Sequence, residues 1–426
     1  MMLWAALLLG VSMTMSAQGR APQCVQPLRP VGEGRGVFPG RVAWAHCPGA
    51  AMAGEYAADW AANRNVDQAA CDEMMRSVVC LLGGSDDPSA AWDAIFTEFN
   101  KQNNDVDRPY SLGEKIAVKI NCGNTNSHYN PTEINATPQM VLALVRSLVE
   151  DAGVPPECIT IADPQNYIPD NVYEAVRNFY KKVCFCDRFG GNGRKKAEFD
   201  SYSLRYSNRA AGSLAKGIEQ SFVKADYNIN FALLTGCSGT GVALCGDNWL
   251  GCLNFGKNFS KKTNLNIVPN RNGEARYSAL VDLMGHQDLG GKCLLYLIDG
   301  LYGSKTGSGK PGPKWRSEPF GGDWPCTLLA SMDPVAVDIV GIDLLTNAFT
   351  DLPDAAYCDM YLREAATADK PASGTVYDPD RFGYRLSSLG VAEHWNNPTA
   401  RLYSRNLNRG KGIELVYKKI DKKRDK

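Results

Sequence analysis

The chain has 426 residues, 44% of them hydrophobic and 22% charged, an ordinary globular composition with apolar material for a large core. Its 46 Lys and Arg residues balance 46 Asp and Glu residues. No general field therefore draws it to nucleic acid or to anionic lipid, and the basic run at 418–426 reads as a solvated tail.

In chain order, an apolar stretch from Met2 to about Met15 is followed by small residues, the pattern of a secretory signal. It is short for a membrane-spanning helix, which needs about 20 apolar residues. Cleavage is expected after Ala17 or Ala21. The organisation expected is a signal peptide over 1–21, then one elaborated α/β domain over 22–426, exported to the periplasm or beyond the cell, with no later membrane span.

A short strand is expected over 41–45. Ala70, Met74, Val78 and Leu81 recur at helical spacing, predicting a helix over 67–82. A second helix is expected from Ser89 to Asn100, with Trp92, Ile95 and Phe96 on one face. A β-α-β-α-β order follows. Strands are expected over 115–120, 158–162 and 182–186. The helices between them begin at Thr137, with Pro138 in the first turn, and at Asp170. This order predicts a mostly parallel sheet with flanking helices, a three-layer α/β fold. Further strands are expected over 227–234, 292–298 and 327–331. A long Gly-, Ser- and Pro-rich loop should fill 302–322, and a strong helix should start at Asp333 and run to about Ala348.

Open parallel sheets bind ligands beyond the carboxyl ends of their strands. The expected strand ends carry Asn121, Asp163, Asp187, Thr235, Asp299 and Asp333, and the polar loop 123–135 after the first carries His128. Lys119, Asn121, His128 and Asp163 form the candidate catalytic set. Asp163, Asp299 and Asp333 are candidate ligands for a divalent metal ion, because clustered carboxylates hold such ions or serve as acid and base. Taken singly, Asp163 and Asp333 precede Pro and also read as turn or capping residues. The four histidines, His46, His128, His286 and His394, show no zinc spacing, and His286 and His394 read as structural.

The chain carries 14 cysteines. In an exported protein some should pair, although buried thiols also act as small apolar residues. Cys184 and Cys186 would share one strand face. Cys237, Cys245 and Cys252 lie in a Gly-rich stretch, but their spacing matches no ferredoxin run. There is no phosphate loop, dinucleotide fingerprint or nucleophile elbow.

Several stretches resemble the family called domain of unknown function 362. They are GRVAWAH from Gly40, AWDAIFTEFN from Ala91, GEKIAVKIN from Gly113 and ATPQMVLALV from Ala136. LLYLIDGLYG from Leu294, SMDPVAVDIVG from Ser331, LGVAEHWNNP from Leu389, YSRNL from Tyr403 and GIELV from Gly412 continue the likeness in the same order. The chain is similar to the exported, single-domain members of Bacteroidota type. The resemblance implies an α/β fold and export, and no activity. Two departures stand out: Cys47 where relatives carry an acid, and Asp247-Asn248 where they carry Lys-Asn.

Three function classes stay open on the sequence. The first is an enzyme acting on a small molecule, with a metal among the carboxylates. The second is a protein that only binds a small ligand or metal at the same edge. The third is an iron–sulfur or thiol redox protein using Cys237, Cys245 and Cys252. A small-molecule ligand is the expected partner, and nucleic acid is not. The cofactor and the oligomeric state are not legible.

Overall fold

The computed structural model describes residues 29–200, 204–208, 217–237, 240–255, 276–352 and 355–421. The expected signal segment and Cys24 lie outside these residues.

The core is a ten-stranded sheet. Its strands in chain order are β2 (Arg41–His46), β3 (Ile116–Ile120), β4 (Ile159–Asp163), β5 (Cys184–Asp187), β6 (Lys195–Lys196), β7 (Tyr227–Cys237), β8 (Gly241–Val242), β9 (Cys293–Ser304), β10 (Thr327–Ser331) and β12 (Glu414–Lys419). Spatially they run β12-β2-β10-β9-β7-β3-β4-β5-β6, with β8 paired to β7. A separate two-stranded ribbon joins β1 (Val31–Gly32) to β11 (Val391–Ala392).

Strands buried on both faces read as unbroken apolar runs, and alternate residues go to opposite layers. Val118, Ile161, Phe231, Leu297 and Leu328 enter one core. Their neighbours Ala117, Ala162, Ala232, Ile298 and Leu329 enter the other. The first core is closed by α1 (Gln68–Gly83), α2 (Pro88–Asn104), α3 (Pro138–Glu150) and α4 (Asp170–Arg177). The second is closed by α5 (Gln220–Lys224), α6 (Cys245–Asn248), α7 (Ala279–Gly285), α8 (Pro334–Ala348) and α9 (Ala355–Ala366). The three-layer α/β architecture expected from the sequence is therefore present.

Helix starts follow their capping chemistry. Asp67 accepts from Ala70 N at the head of α1, and Asp333 accepts from Val335 N and Ala336 N at the head of α8. Two local expectations shift. The second helix is capped by Asp87 with Pro88 in its first turn, so it starts ahead of Ser89. Strand β9 continues to Ser304, inside the stretch expected as loop. Its Gly303 lets the indole of Trp315 pack where a Cβ would come within 2.2 Å of Cζ2.

Two strands break the parallel rule: the short β8 is antiparallel to β7, and β10 is reversed within the main run of the sheet. β10 runs antiparallel to both β2 and β9, whereas β12 is parallel to β2 and β7, β3, β4 and β5 are parallel to one another and to β9. The carboxyl ends of β2, β12, β9, β7, β3, β4 and β5 therefore share one edge, and β10 enters that edge with its amino end.

Candidate functional site: the carboxyl edge of the sheet

At this edge β3 and β4 deliver a buried ion pair. Lys119 Nζ lies 3.4 Å from Asp163 Oδ1, with the two side chains 2% and 0% exposed. The ammonium also donates to Ile120 O at 2.5 Å and to Asn248 Oδ1 at 3.0 Å. Asp163 Oδ2 accepts from Cys122 N at 2.6 Å, and Asn166 Nδ2 donates to the same carboxylate. Every polar position of the pair is engaged, which is the condition for a buried charge pair to persist. Asn248 also donates to Asn230 Oδ1 at 2.8 Å, and Asn230 donates to Cys245 O. The pair thus ties the segment around α6 to the end of β3 and to Asn230 in the first half of β7. Gly251 belongs to the same device, since a Cβ there would come within 2.5 Å of Lys119 Cε.

Next to it stands a His–Asp dyad. His128 Nε2 is 2.9 Å from Asp187 Oδ2, and Asp187 is fully buried. Asp187 also accepts from Ile168 N, Phe189 N and Gly190 N, so three amide dipoles compensate its charge. A carboxylate acceptor at Nε2 fixes the proton there and leaves Nδ1 as the lone-pair nitrogen. Nδ1 faces Asn192 Nδ2 at 3.3 Å. Tyr167 meets the imidazole edge-on and stacks on Phe189 at 4.3 Å between centroids.

The loop between β3 and α3 is stitched down by Asn124, whose Nδ2 donates to Ile134 O and to Gly307 O, both at 2.7 Å. Ile134 N in turn donates to Gly309 O. The loop borders an open cavity of about 210 Å³, lined by residues 124–127 and 129–133, with Asn126, Tyr129, Asn130 and Thr132 exposed. Its lining is Asn, Thr, Ser, Tyr and Pro, with Glu133 the sole acidic or basic residue. Asn121 does not line it; its Oδ1 accepts from Gly123 N at the start of the loop.

The expected carboxylate trio does not assemble. Asp163 and Asp299 share the edge, but β4 and β9 are separated by β3 and β7, roughly 14 Å at ordinary strand spacing. Asp299 is spent on backbone: it accepts from Thr137 N at 3.1 Å and from Leu301 N at 3.0 Å. It therefore caps α3 from a neighbouring strand, in place of the Thr137 side chain. Burial pushes its carboxyl above the usual range. Asp333 lies at the opposite edge, because β10 is antiparallel and its Ser331 pairs with Tyr296 near the start of β9. There it caps α8 and also accepts from Arg35 N and Val391 N. Among the described residues no group of three or more His, Cys, Asp or Glu is placed to hold a metal ion.

The thiol expectations fare similarly. No two described cysteines are disulfide-bonded. Cys245 and Cys252 are buried in the second core, and burial pushes both thiols well up. Cys237 stands apart at the end of β7. Cys186 Sγ faces Glu219 at 3.4 Å inside the core. His286 is fully buried, and its Nδ1 accepts from Asp288 N.

Sequence reasoning placed Asp187 at a strand end without its pairing to His128, which is 59 residues away. It also passed over His46, which the direction of β2 brings to the same edge. His46 sits against Trp44, Phe320 and Tyr417, with Nδ1 2.9 Å from the Tyr417 hydroxyl. Burial and then the nearby Lys419 and Arg401 push this imidazole down to about 4. The signal available was positional: His46 ends a strand, as Asp163 does.

No helix among the described residues is long and apolar enough to cross a membrane. Searches of curated proteins and of solved structures find no match. The family model described as Domain of unknown function (DUF362) matches residues 116–343, which is more than half of the chain and spans β3 through most of α8, including Lys119, Asn121, His128, Asp163 and Asp187. The protein belongs to that family.

Proposed function

We propose that the protein binds a small, uncharged, polar molecule in the loop cavity at the carboxyl edge, and that His128 is the proton-handling group beside it. The observation that carries this reading is the cavity of about 210 Å³ whose lining bears one charged side chain and otherwise neutral hydrogen-bonding groups. Such groups orient a ligand without the desolvation cost of a buried charge. Its place beyond the ends of β3, β4 and β5 is where parallel sheets bind ligands.

A catalytic reading draws on the dyad. With Nε2–H held by Asp187, Nδ1 can take a proton from a ligand hydroxyl once Asn192 gives way. The dispersion of Asp163, Asp299 and Asp333 supplies no support for a metal-assisted step, and the scattered thiols supply none for redox chemistry. Export is part of the proposal and rests on the apolar leader.

Calorimetric titration with glucose and glycerol, and with acetate and Mg²⁺ as charged controls, tests the binding. The neutral polyhydroxy probes should bind saturably. Asn126→Ala combined with Tyr129→Ala should weaken them at least about tenfold, the loss of about 1.4 kcal/mol. Binding unchanged in that variant, or seen only for the charged controls, refutes the proposal.

A further inference from the structure

A second cavity, of about 210 Å³, opens between α8, α9 and the β1–β11 ribbon. His394 forms part of its wall, clamped between two acids. Its Nδ1 is 2.6 Å from Asp343 Oδ1 and its Nε2 is 3.0 Å from Asp359 Oδ1. Two carboxylate acceptors require the ring to donate from both nitrogens, so it is an imidazolium.

The acids around it are already engaged. Asp343 Oδ2 accepts from the Tyr403 hydroxyl and Trp395 N. Glu393 accepts from Ser404 N, Ser404 Oγ and Ile413 N. The cations at the rim differ. Arg29 and Arg363 line the cavity, and neither side chain has an ion pair or hydrogen bond with a described residue. Arg363 does not pair even with Asp359, one helical turn away, whose Oδ1 faces His394. The rest of the lining is the apolar Val31, Ile339 and Ala392.

We propose that this cavity is a binding site for a small organic monoanion, a carboxylate with a short apolar body. The carboxylate would lie between the guanidinium groups of Arg29 and Arg363, and the body would lie against Val31, Ile339 and Ala392. Arginine forks match carboxylates in two-pronged geometry, and a cavity of this size takes a body of a few carbon atoms. The site shares no residue with the loop cavity.

The test is calorimetric titration of the full chain with butanoate, butanamide and n-butylamine at low salt. Butanoate should bind at least tenfold more tightly than the amide or the amine, and added NaCl should weaken it. Arg363→Gln should weaken butanoate at least tenfold, and Arg363→Lys less than Arg363→Gln. The loop variant Asn126→Ala with Tyr129→Ala should bind it as the parent does. The proposal is overturned if the amide binds as well as the acid, if Arg363→Gln leaves binding unchanged with native circular dichroism, or if butanoate does not bind at all.

Discussion

Replacing Asp163 by Ala isolates what the buried pair contributes. Lys119 would keep its bonds to Ile120 O and Asn248 Oδ1 but lose its one ion-pair partner among the described residues. The fully buried Cys122 would lose the acceptor of its N–H. An orphaned buried donor costs about 1–3 kcal/mol, and breaking a buried pair from one side costs about 3–5 kcal/mol in all. Urea unfolding followed by tryptophan fluorescence should show that loss as a lower midpoint with an unchanged slope. For a chain of this length, with an unfolding entropy of about 2.1 cal/mol/K per residue, 4 kcal/mol corresponds to a fall in Tm of roughly 4–5 °C. The double variant Lys119→Met with Asp163→Asn keeps an acceptor for Cys122 N–H and removes both charges, so it should recover most of the loss. A single variant that loses under about 1 kcal/mol means water reaches the pair. A double variant no better than the single means that charge is not the cause.

Three other outcomes are expected. The two acids beside His394 push its imidazole up to about 10 against the opposing effect of burial, so its stabilisation is complete below the unfolded value near 6.5 and is lost as pH rises towards 10. Urea midpoints measured from pH 6 to 10 should fall in the parent chain and be flatter in His394→Gln. Asp333 has the same sense in a lower window: burial pushes its carboxyl up to about 6, so stability is highest below its unfolded value near 4 and drains as pH rises to about 6. Asp333→Asn should flatten that window; its Oδ1 can keep the cap of α8, while the acceptor of Arg35 N and Val391 N is lost at a cost of about 1–3 kcal/mol. In the native protein, maleimide should reach the partly exposed Cys80, Cys158 and Cys184 before the buried Cys71, Cys122, Cys245 and Cys252. Fast labelling of the buried set would mean that the two cores open.

The elements that could be read from the sequence are those whose local signals agree with their packing. β3, β4 and β10 are short apolar runs between turn residues, and α1, α3 and α8 begin at capping or proline signals. Strand direction has no local signature. Nothing in Thr327–Ser331 distinguishes an antiparallel strand from a parallel one, and that reversal carries Asp333 away from Asp163 and Asp299. The extension of β9 to Ser304 was hidden because Gly300 and Gly303 read as loop residues, whereas tertiary packing against Leu234 and Trp315 requires them. Pairings such as His128 with Asp187, or His394 with Asp343 and Asp359, join residues 35–59 positions apart. Only the fold sets those distances.

The way charges are compensated decides what each cavity can bind. At the carboxyl edge every buried charge is matched inside the protein: Lys119 by Asp163, Asp187 by His128 and three amides, Asp299 by the amides of Thr137 and Leu301. An anion entering there would meet these carboxylates, and no Lys or Arg is among the residues lining the loop cavity. A cation would find only Glu133 in the cavity lining, and could reach the buried carboxylates only by displacing Lys119 or the amide donors that already serve them. Neutral exchange of hydrogen bonds with the Asn, Thr and Ser side chains carries neither cost. In the cavity at α8 and α9 the acids already accept hydrogen bonds, whereas two guanidinium groups have no partner among the described residues, so the open donors there suit an anion. The two sites therefore sort ligands by charge, and the balance of charged residues across the whole chain conceals that division.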